Sequence, residues 1–393
     1  MAAPRGGAIA ANAATQIAPV VNWHLEPRCN YKCKFCFATF EDVKSLAAPL
    51  PGLDALLGVP AALAAAGVVK LTFVGGEPML HPHIFELVAA AKRAGLCTSM
   101  VTNGSRLDAA SLLRLRPALD QLAFSVDASD DALHVALGRA VGGRTPGHLA
   151  HVRSLWGPAR ELGFSLKINT VVTKINLADD MSPLIMDLLP DRWKVFQALP
   201  VEGQNDGAVD GLLVTDGEFG AYVARHRAAL AAAAAAAAAS GAPRTKPSAP
   251  PAAAGAGAGV EWAGPGAEAG RARRASAPPP LVAEGNDEMR GTYAMLDAFC
   301  RRGGGVGQGL WRSFYSNTDG PHAYGPSILD AGAPAAWAAV RDRWSAAGFV
   351  QRGGVYDYGQ GEAAARELRA RWAGAGAAAE AAAGGGAGGG CQQ

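Results

Sequence analysis

Along the first half of the chain, short apolar runs alternate with stretches whose apolar residues recur at helical spacing. Residues 20–25, 68–74, 97–102, 122–126, 165–172 and 194–199 read as six strands, each rich in Val, Ile, Leu, Phe or Thr. Between them, helices are predicted over 54–66, 81–94, 131–138, 148–162 and 180–189, with one more after Asn103-Gly104-Ser105 that Asp108 would cap. In 81–94, Ile84, Leu87, Val88 and Ala91 form the buried stripe. Gly58 and Pro60 weaken the case for 54–66. Strands alternating with helices predict parallel βα units, and six of them suit an α/β, TIM-like partial (βα)6 barrel. Such folds work at the C-terminal ends of their strands.

The second half is less regular. A helix over 215–230 runs into poly-alanine, followed by a Pro/Ala/Gly stretch. With few large apolar residues, residues 231–280 cannot offset the entropy of ordering and are expected to form a disordered, low-complexity insert. Its arginines and lysine suit a solvated linker better than a docking segment. The expected organisation is a flexible N-terminus (1–19), a barrel core (20–230), the insert (231–280), a C-terminal extension that closes the site (281–360) and a low-complexity tail (361–393).

Composition narrows the class. The chain has 393 residues and a formal net charge of +2, which gives no electrostatic reason to expect a nucleic-acid partner. No stretch is long and apolar enough for a transmembrane segment. Of the six cysteines, Cys97, Cys300 and Cys391 have no matching spacing and read as free thiols, which favours a reducing compartment. The expectation is a cytoplasmic enzyme, with an organelle address left open by the alanine-rich start.

The other three cysteines carry the chemistry. Cys29, Cys33 and Cys36 stand as C-x3-C-x2-C, with Phe37 beside the last. Four cysteines would close a zinc site or satisfy every iron of a cubane, whereas three leave one position open. A zinc knuckle is the competing reading, but no second cysteine pair completes one. The spacing resembles the cluster loop of radical S-adenosylmethionine (SAM) enzymes, which implies a [4Fe–4S] cluster whose open iron is chelated by SAM. In that superfamily a turn like Gly75-Gly76-Glu77-Pro78 binds the SAM ammonium, and its glycines permit close backbone approach. Asn103, Ser105 and Ser125 end the next two strands, where short polar side chains suit the ribose and carboxylate of SAM.

Basic residues also recur at strand ends: Lys70 before the second strand, Arg139 after Leu137-Gly138, Lys167 with Asn169 in the fifth strand, and Arg192 and Lys194 around the sixth. Lysines facing a barrel interior are costly to bury without a partner, and a polyphosphate would remove that cost. Collectively they suggest a triphosphate.

Here the resemblance sharpens. Asn22-x-His24 ahead of the cysteines, Lys167-Ile168-Asn169, Arg192-Trp193-Lys194-Val195-Phe196-Gln197, Ser327-Ile328-Leu329-Asp330 and Arg352-Gly353-Gly354-x-Tyr356 are similar to segments of the viperins, radical SAM nucleotide dehydratases. The resemblance implies SAM contacts from Gly75, Gly76, Glu77, Asn103, Ser105 and Ser125. It implies a nucleoside triphosphate, CTP by analogy with eukaryotic members, held by Lys70, Arg139, Lys167, Asn169 and Lys194, with Asn286, Arg290 and Tyr293 closing over it. A 5′-deoxyadenosyl radical would take hydrogen from ribose C4′, and the 3′-hydroxyl would leave as water with help from Tyr293 or Lys167. A second electron would complete a 3′-deoxy-3′,4′-didehydro nucleotide, an antiviral chain terminator. Implied partners are an electron donor of reductase, flavodoxin or ferredoxin type and the iron–sulfur assembly machinery. Three features depart from the family pattern: no N-terminal amphipathic helix is evident, the chain ends Cys391-Gln392-Gln393 where animal members end in tryptophan, and Gly325-Pro326 stands where they carry a basic residue. A radical SAM enzyme for another nucleotide, or for a peptide or cofactor precursor, is the alternative.

Overall fold

The computed structural model describes residues 17–40, 51–239, 278–298, 314–315, 325–356 and 370. Six strands carry the expected βα alternation: β1 (Val20–Glu26), β2 (Lys70–Gly75), β3 (Cys97–Thr102), β4 (Gln121–Ser125), β5 (Ser165–Val172) and β6 (Arg192–Gln197). Lys70, expected before the second strand, is that strand's first residue. The C-terminal extension adds β7 (Leu281–Glu284) beside β6 and β8 (Ala294–Leu296) beside β1. These eight strands are parallel neighbours, and β9 (Phe314–Tyr315) pairs antiparallel with β8. The result is a parallel half-barrel with helices packed outside, consistent with a partial TIM barrel of radical SAM type. The extension thus enlarges both sheet edges, which the six-strand expectation does not include.

Local chemistry explains the helices. Asp108 accepts from the Ser111 amide while Ser111 Oγ accepts from the Asp108 amide, a reciprocal cap that starts Ala109–Leu115. Pro60 lies inside Leu53–Ala65 and is tolerated there, with Leu56, Val59 and Leu63 buried against the core. The helix from Asp216 continues to Ala239, past the expected end, because alanine sustains helix more readily than any other residue. Residues 240–277 of the insert, and most of the tail, lie outside the described residues, as do Cys300 and Cys391.

The pleat positions the site. On β1, β2, β5 and β6, inward positions alternate as Asn22 and His24, Lys70 and Thr72, Lys167 and Asn169, Arg192 and Lys194, all facing one interior cavity. The intervening residues, among them Trp23, Leu71, Phe73, Ile168, Trp193 and Val195, are buried in the apolar layer under the helices. The sheet is therefore apolar toward its helices and carries its inward charged and amide side chains, among apolar neighbours such as Val20, Val101 and Val171, toward its hollow.

Candidate functional site

The hollow is a cavity of ≈ 320 Å³. Cys29, Cys33 and Cys36 line it at the C-terminal ends of the strands, and Lys70, Lys167 and Arg192 line it where strands begin.

The cysteine loop is held by backbone. The Lys32 and Lys34 amides donate to the Gly138 and Leu137 carbonyls at 3.2 and 3.0 Å. A Cβ on Gly138 would lie 2.1 Å from the Lys32 carbonyl oxygen, and φ there is +73°, so glycine is required twice over. On the other side, the Gly76 amide donates to the Glu26 carbonyl at 2.6 Å and the Glu77 amide to the Arg28 carbonyl at 2.8 Å. Burial pushes the Cys29 thiol up to about 11 and the Cys33 thiol up to about 12. Bare thiols here resist ionisation, and a bound cationic centre reverses that preference. Among the described residues no three His, Cys, Asp or Glu side chains converge as ligands of a single ion. Three soft donors around one cavity fit an iron–sulfur centre, and those cysteines would hold it.

Of the expected SAM contacts, Gly75, Gly76, Asn103 and Ser125 line the cavity. Glu77 and Ser105 are not among the lining residues. Glu77 is buried behind the turn, accepting from Thr102 Oγ1 at 2.6 Å, the Asn103 amide at 2.8 Å and the Met79 amide at 3.0 Å. Its carboxylate joins the glycine turn to the end of β3, a positioning task. Ser105 accepts from Asn30 Nδ2 at 2.8 Å, and Asn103 Nδ2 donates to Asn30 Oδ1 at 3.0 Å, so the pair braces the cysteine loop.

Of the expected nucleotide contacts, Lys70, Arg139, Lys167, Asn169, Lys194 and Tyr293 line the cavity. Arg139 is ion-paired with buried Asp127 and packs over the Phe35 ring of the cysteine loop, 5.5 Å from its centroid. It therefore belongs to the cysteine end. Asn169 Oδ1 is buried and has no hydrogen-bond partner among the described residues. Asn286 and Arg290 do not line the cavity: the Asn286 amide donates to Gln197 Oε1 at 2.9 Å, and Arg290 pairs with Asp287 at 3.0 Å on the exposed side of its turn.

The structure also brings in residues absent from the expected set. Glu284, at the end of β7, is fully buried and ion-pairs with Lys194 and with Arg352, the latter at 3.2 Å. It accepts from Tyr293 Oη, to which Lys194 Nζ donates at 3.0 Å. Burial pushes the Lys194 ammonium down to about 7; Glu284 pulls the other way, and the nearby charges of Arg352 and Arg192 add to the lowering. Burial likewise drives Lys167 well below the usual lysine range, reinforced by Lys70, Arg192 and Lys194. Lys167 donates to Gln121 Oε1 at 2.6 Å and to Tyr356 Oη. Such a crowd of buried cations is electrostatically able to share the charge of a polyanion.

The radical SAM superfamily profile matches residues 25–179. An S-adenosylmethionine-dependent nucleotide dehydratase of Flammeovirga pacifica is 33% identical over 344 residues, covering 87% of this chain and 97% of that protein. One from Lacinutrix mariniflava is 34% identical over 349 residues, 88% of this chain, which spans 60% of that relative's length. The corresponding dehydratase of Danio rerio is 34% identical over 218 residues, covering 53% of this chain and 59% of that protein. Among the described residues no helix is long and apolar enough to cross a membrane. Coverage of nearly all of the Flammeovirga protein, with the cysteine loop, glycine turn and half-barrel arranged around one cavity, means that the chain belongs to the viperin family of radical SAM enzymes, the S-adenosylmethionine-dependent nucleotide dehydratases.

Proposed function

We propose that this chain dehydrates a nucleoside triphosphate, CTP in the first instance, to its 3′-deoxy-3′,4′-didehydro analogue. The observation that carries this reading is the polarity of the cavity: thiols at one end, and Lys70, Lys167, Arg192, Lys194 and Arg352 gathered toward the other. When bound, a [4Fe–4S] cluster with SAM supplies a 5′-deoxyadenosyl radical able to take hydrogen from ribose C4′.

The chain's own residues orient and protonate. Cys29, Cys33 and Cys36 would hold the cluster, and Gly75, Gly76, Asn103 and Ser125, which line the same cavity, would face SAM. The cation group takes the phosphates and so points the ribose toward the cysteines. Asn169, on β5 beside Lys194, offers its unpartnered carbonyl to a sugar hydroxyl. Loss of the 3′-hydroxyl as water needs a proton donor, and positioned proton transfer contributes about 10²–10⁴-fold. Tyr293 donates its own proton to Glu284, so its oxygen is an acceptor toward Lys194. That arrangement favours Lys194 over Tyr293 as the immediate source, with Lys167 the other candidate. A product without a 3′-hydroxyl cannot be extended by a polymerase, which is the basis for an antiviral role. The reading requires an electron donor of reductase, flavodoxin or ferredoxin type.

Anaerobic reconstitution with iron and sulfide, then SAM, dithionite and CTP, UTP, GTP or ATP in turn, tests it. Expected are about four irons per chain, nucleotide-stimulated 5′-deoxyadenosine and a product lighter by one water. If no triphosphate stimulates SAM cleavage, the assignment is wrong.

A further inference from the structure

Tyr356 closes the strand-start end of the cavity. Its hydroxyl accepts from Lys70 Nζ at 2.5 Å and from Lys167 Nζ, and it donates to Gln121 Oε1 at 3.2 Å. Its ring is faced by three cations, Lys70 at 4.9 Å, Lys167 at 4.6 Å and Arg192 at 4.2 Å from the centroid. The backbone that carries it is pinned by Arg192, whose Nη2 donates to the Gly353 carbonyl at 3.0 Å. Arg192 is nine-tenths buried, and its Nε has no hydrogen-bond partner among the described residues.

A neutral aromatic ring attracts cations through its quadrupole but cannot neutralise them. Gln121 and Tyr356 present only dipoles to Lys167. An anion bound in the cavity would balance the charge of this group. An anionic chain reaching down from a ribose near the cysteines meets the ring and its bound lysines last.

We infer that Tyr356 is a specificity-determining positioning residue: it forms the floor on which the terminal phosphate is seated and so measures the length of the phosphate chain. The inference rests on the nucleoside triphosphate reading above and deepens it. The ring sets where the chain must stop, and the hydroxyl holds the Lys70 and Lys167 ammonium groups at the height of the last phosphate. A diphosphate falls short of that point and forgoes both contacts.

The test is calorimetric titration of the cluster-loaded full chain with CTP, CDP and CMP, for wild type, Tyr356→Phe and Tyr356→Ala. Wild type is expected to prefer CTP over CDP by about tenfold or more, the worth of one well-made charged contact. Tyr356→Ala, which removes floor and hydroxyl, is expected to bring that ratio close to one. Tyr356→Phe, which keeps the ring, is expected to lower it by about threefold, as befits the loss of a hydroxyl contact. Circular dichroism identifies a variant that fails to fold, and the phenylalanine variant then decides alone. Folded variants that keep the wild-type ratio overturn the inference while leaving the nucleotide reading intact. Wild-type protein that binds none of the three nucleotides overturns both.

Discussion

Lys194 and Glu284 form an ion pair inside the barrel, the carboxylate fully buried and the lysine side chain 15% exposed. Burial alone would push the Glu284 carboxyl up, but Lys194 and Arg352 outweigh it and hold it down at about 2. A carboxylate whose folded pKa lies below its unfolded value of about 4.3 contributes stability above that value and loses it as pH falls toward the folded one. An acid-unfolding limb between about pH 4.5 and 2 is therefore expected to carry on the order of 3 kcal/mol from this residue. Glu284→Gln should remove that limb. It should also lower stability at neutral pH by about 3–5 kcal/mol, since it leaves Lys194 and Arg352 buried without their carboxylate. Urea denaturation of the two proteins at pH 7 and pH 3 checks both. Equal stability at both pH values would mean that the pair contributes nothing.

Nucleotide binding should take up a proton. Lys194 sits at about 7 in the free protein, lowered by burial and by Arg352 and Arg192 against the pull of Glu284. A triphosphate beside it favours the ammonium form, so affinity is greatest below the free value and weakens as pH rises above it. The limiting slope is about tenfold per pH unit. Titration of CTP at pH 8 in two buffers of different ionisation enthalpy measures the uptake directly. Identical heats in both buffers would remove Lys194 from the phosphate site.

How much of this is legible in the sequence depends on the range of each signal. The six central strands are readable because each is a local apolar run, and Lys70, Lys167 and Lys194 stand out as charges inside such runs. Their inward direction follows from the two-residue period of the pleat. Glu284 gives no comparable signal: its strand has four residues and follows a low-complexity stretch, and its partners are distant in sequence. The pairing of β7 and β8 with opposite edges of the sheet is likewise a non-local event with no local pattern. The glycine turn is recognisable, yet Glu77 serves the fold of the turn, because three donors claim its carboxylate. Arg290 has the charge a phosphate contact needs but turns toward Asp287, three residues away, a local pairing that competes with any reach inward.

The three cysteines should be separately indispensable. Each lines the cavity, and none of the other described side chains at that end offers a substitute thiol. Alanine at Cys29, Cys33 or Cys36 is expected to cut reconstituted iron and the charge-transfer absorbance of the cluster to near background. Far-ultraviolet circular dichroism should remain native, since the loop's backbone bonds to Leu137 and Gly138 do not involve the thiols. A variant that retained both cluster absorbance and SAM cleavage would contradict the ligand assignment.

Gly76 and Gly58 make a matched pair for testing whether the glycine turn is there for close approach. A Cβ on Gly76 would meet the Arg28 carbonyl oxygen at 2.4 Å and Cys29 Cβ at 3.0 Å, so alanine must push the cysteine loop away from β2. Gly58 lies within the helix Leu53–Ala65, and a methyl group there would find nothing within 4 Å. Gly58→Ala should therefore stabilise the protein by about 0.5–1 kcal/mol through helix propensity alone. Gly76→Ala should destabilise by about 1–3 kcal/mol, the usual penalty for overpacking, and should also weaken cluster retention because the displaced segment carries Cys29. Thermal melts of the two variants, with iron content measured on the same samples, read both effects. The decisive outcome is their opposite sign: a Gly76→Ala protein as stable and as iron-replete as Gly58→Ala would show that the turn tolerates a side chain and that the close backbone approach is not what holds the loop in place.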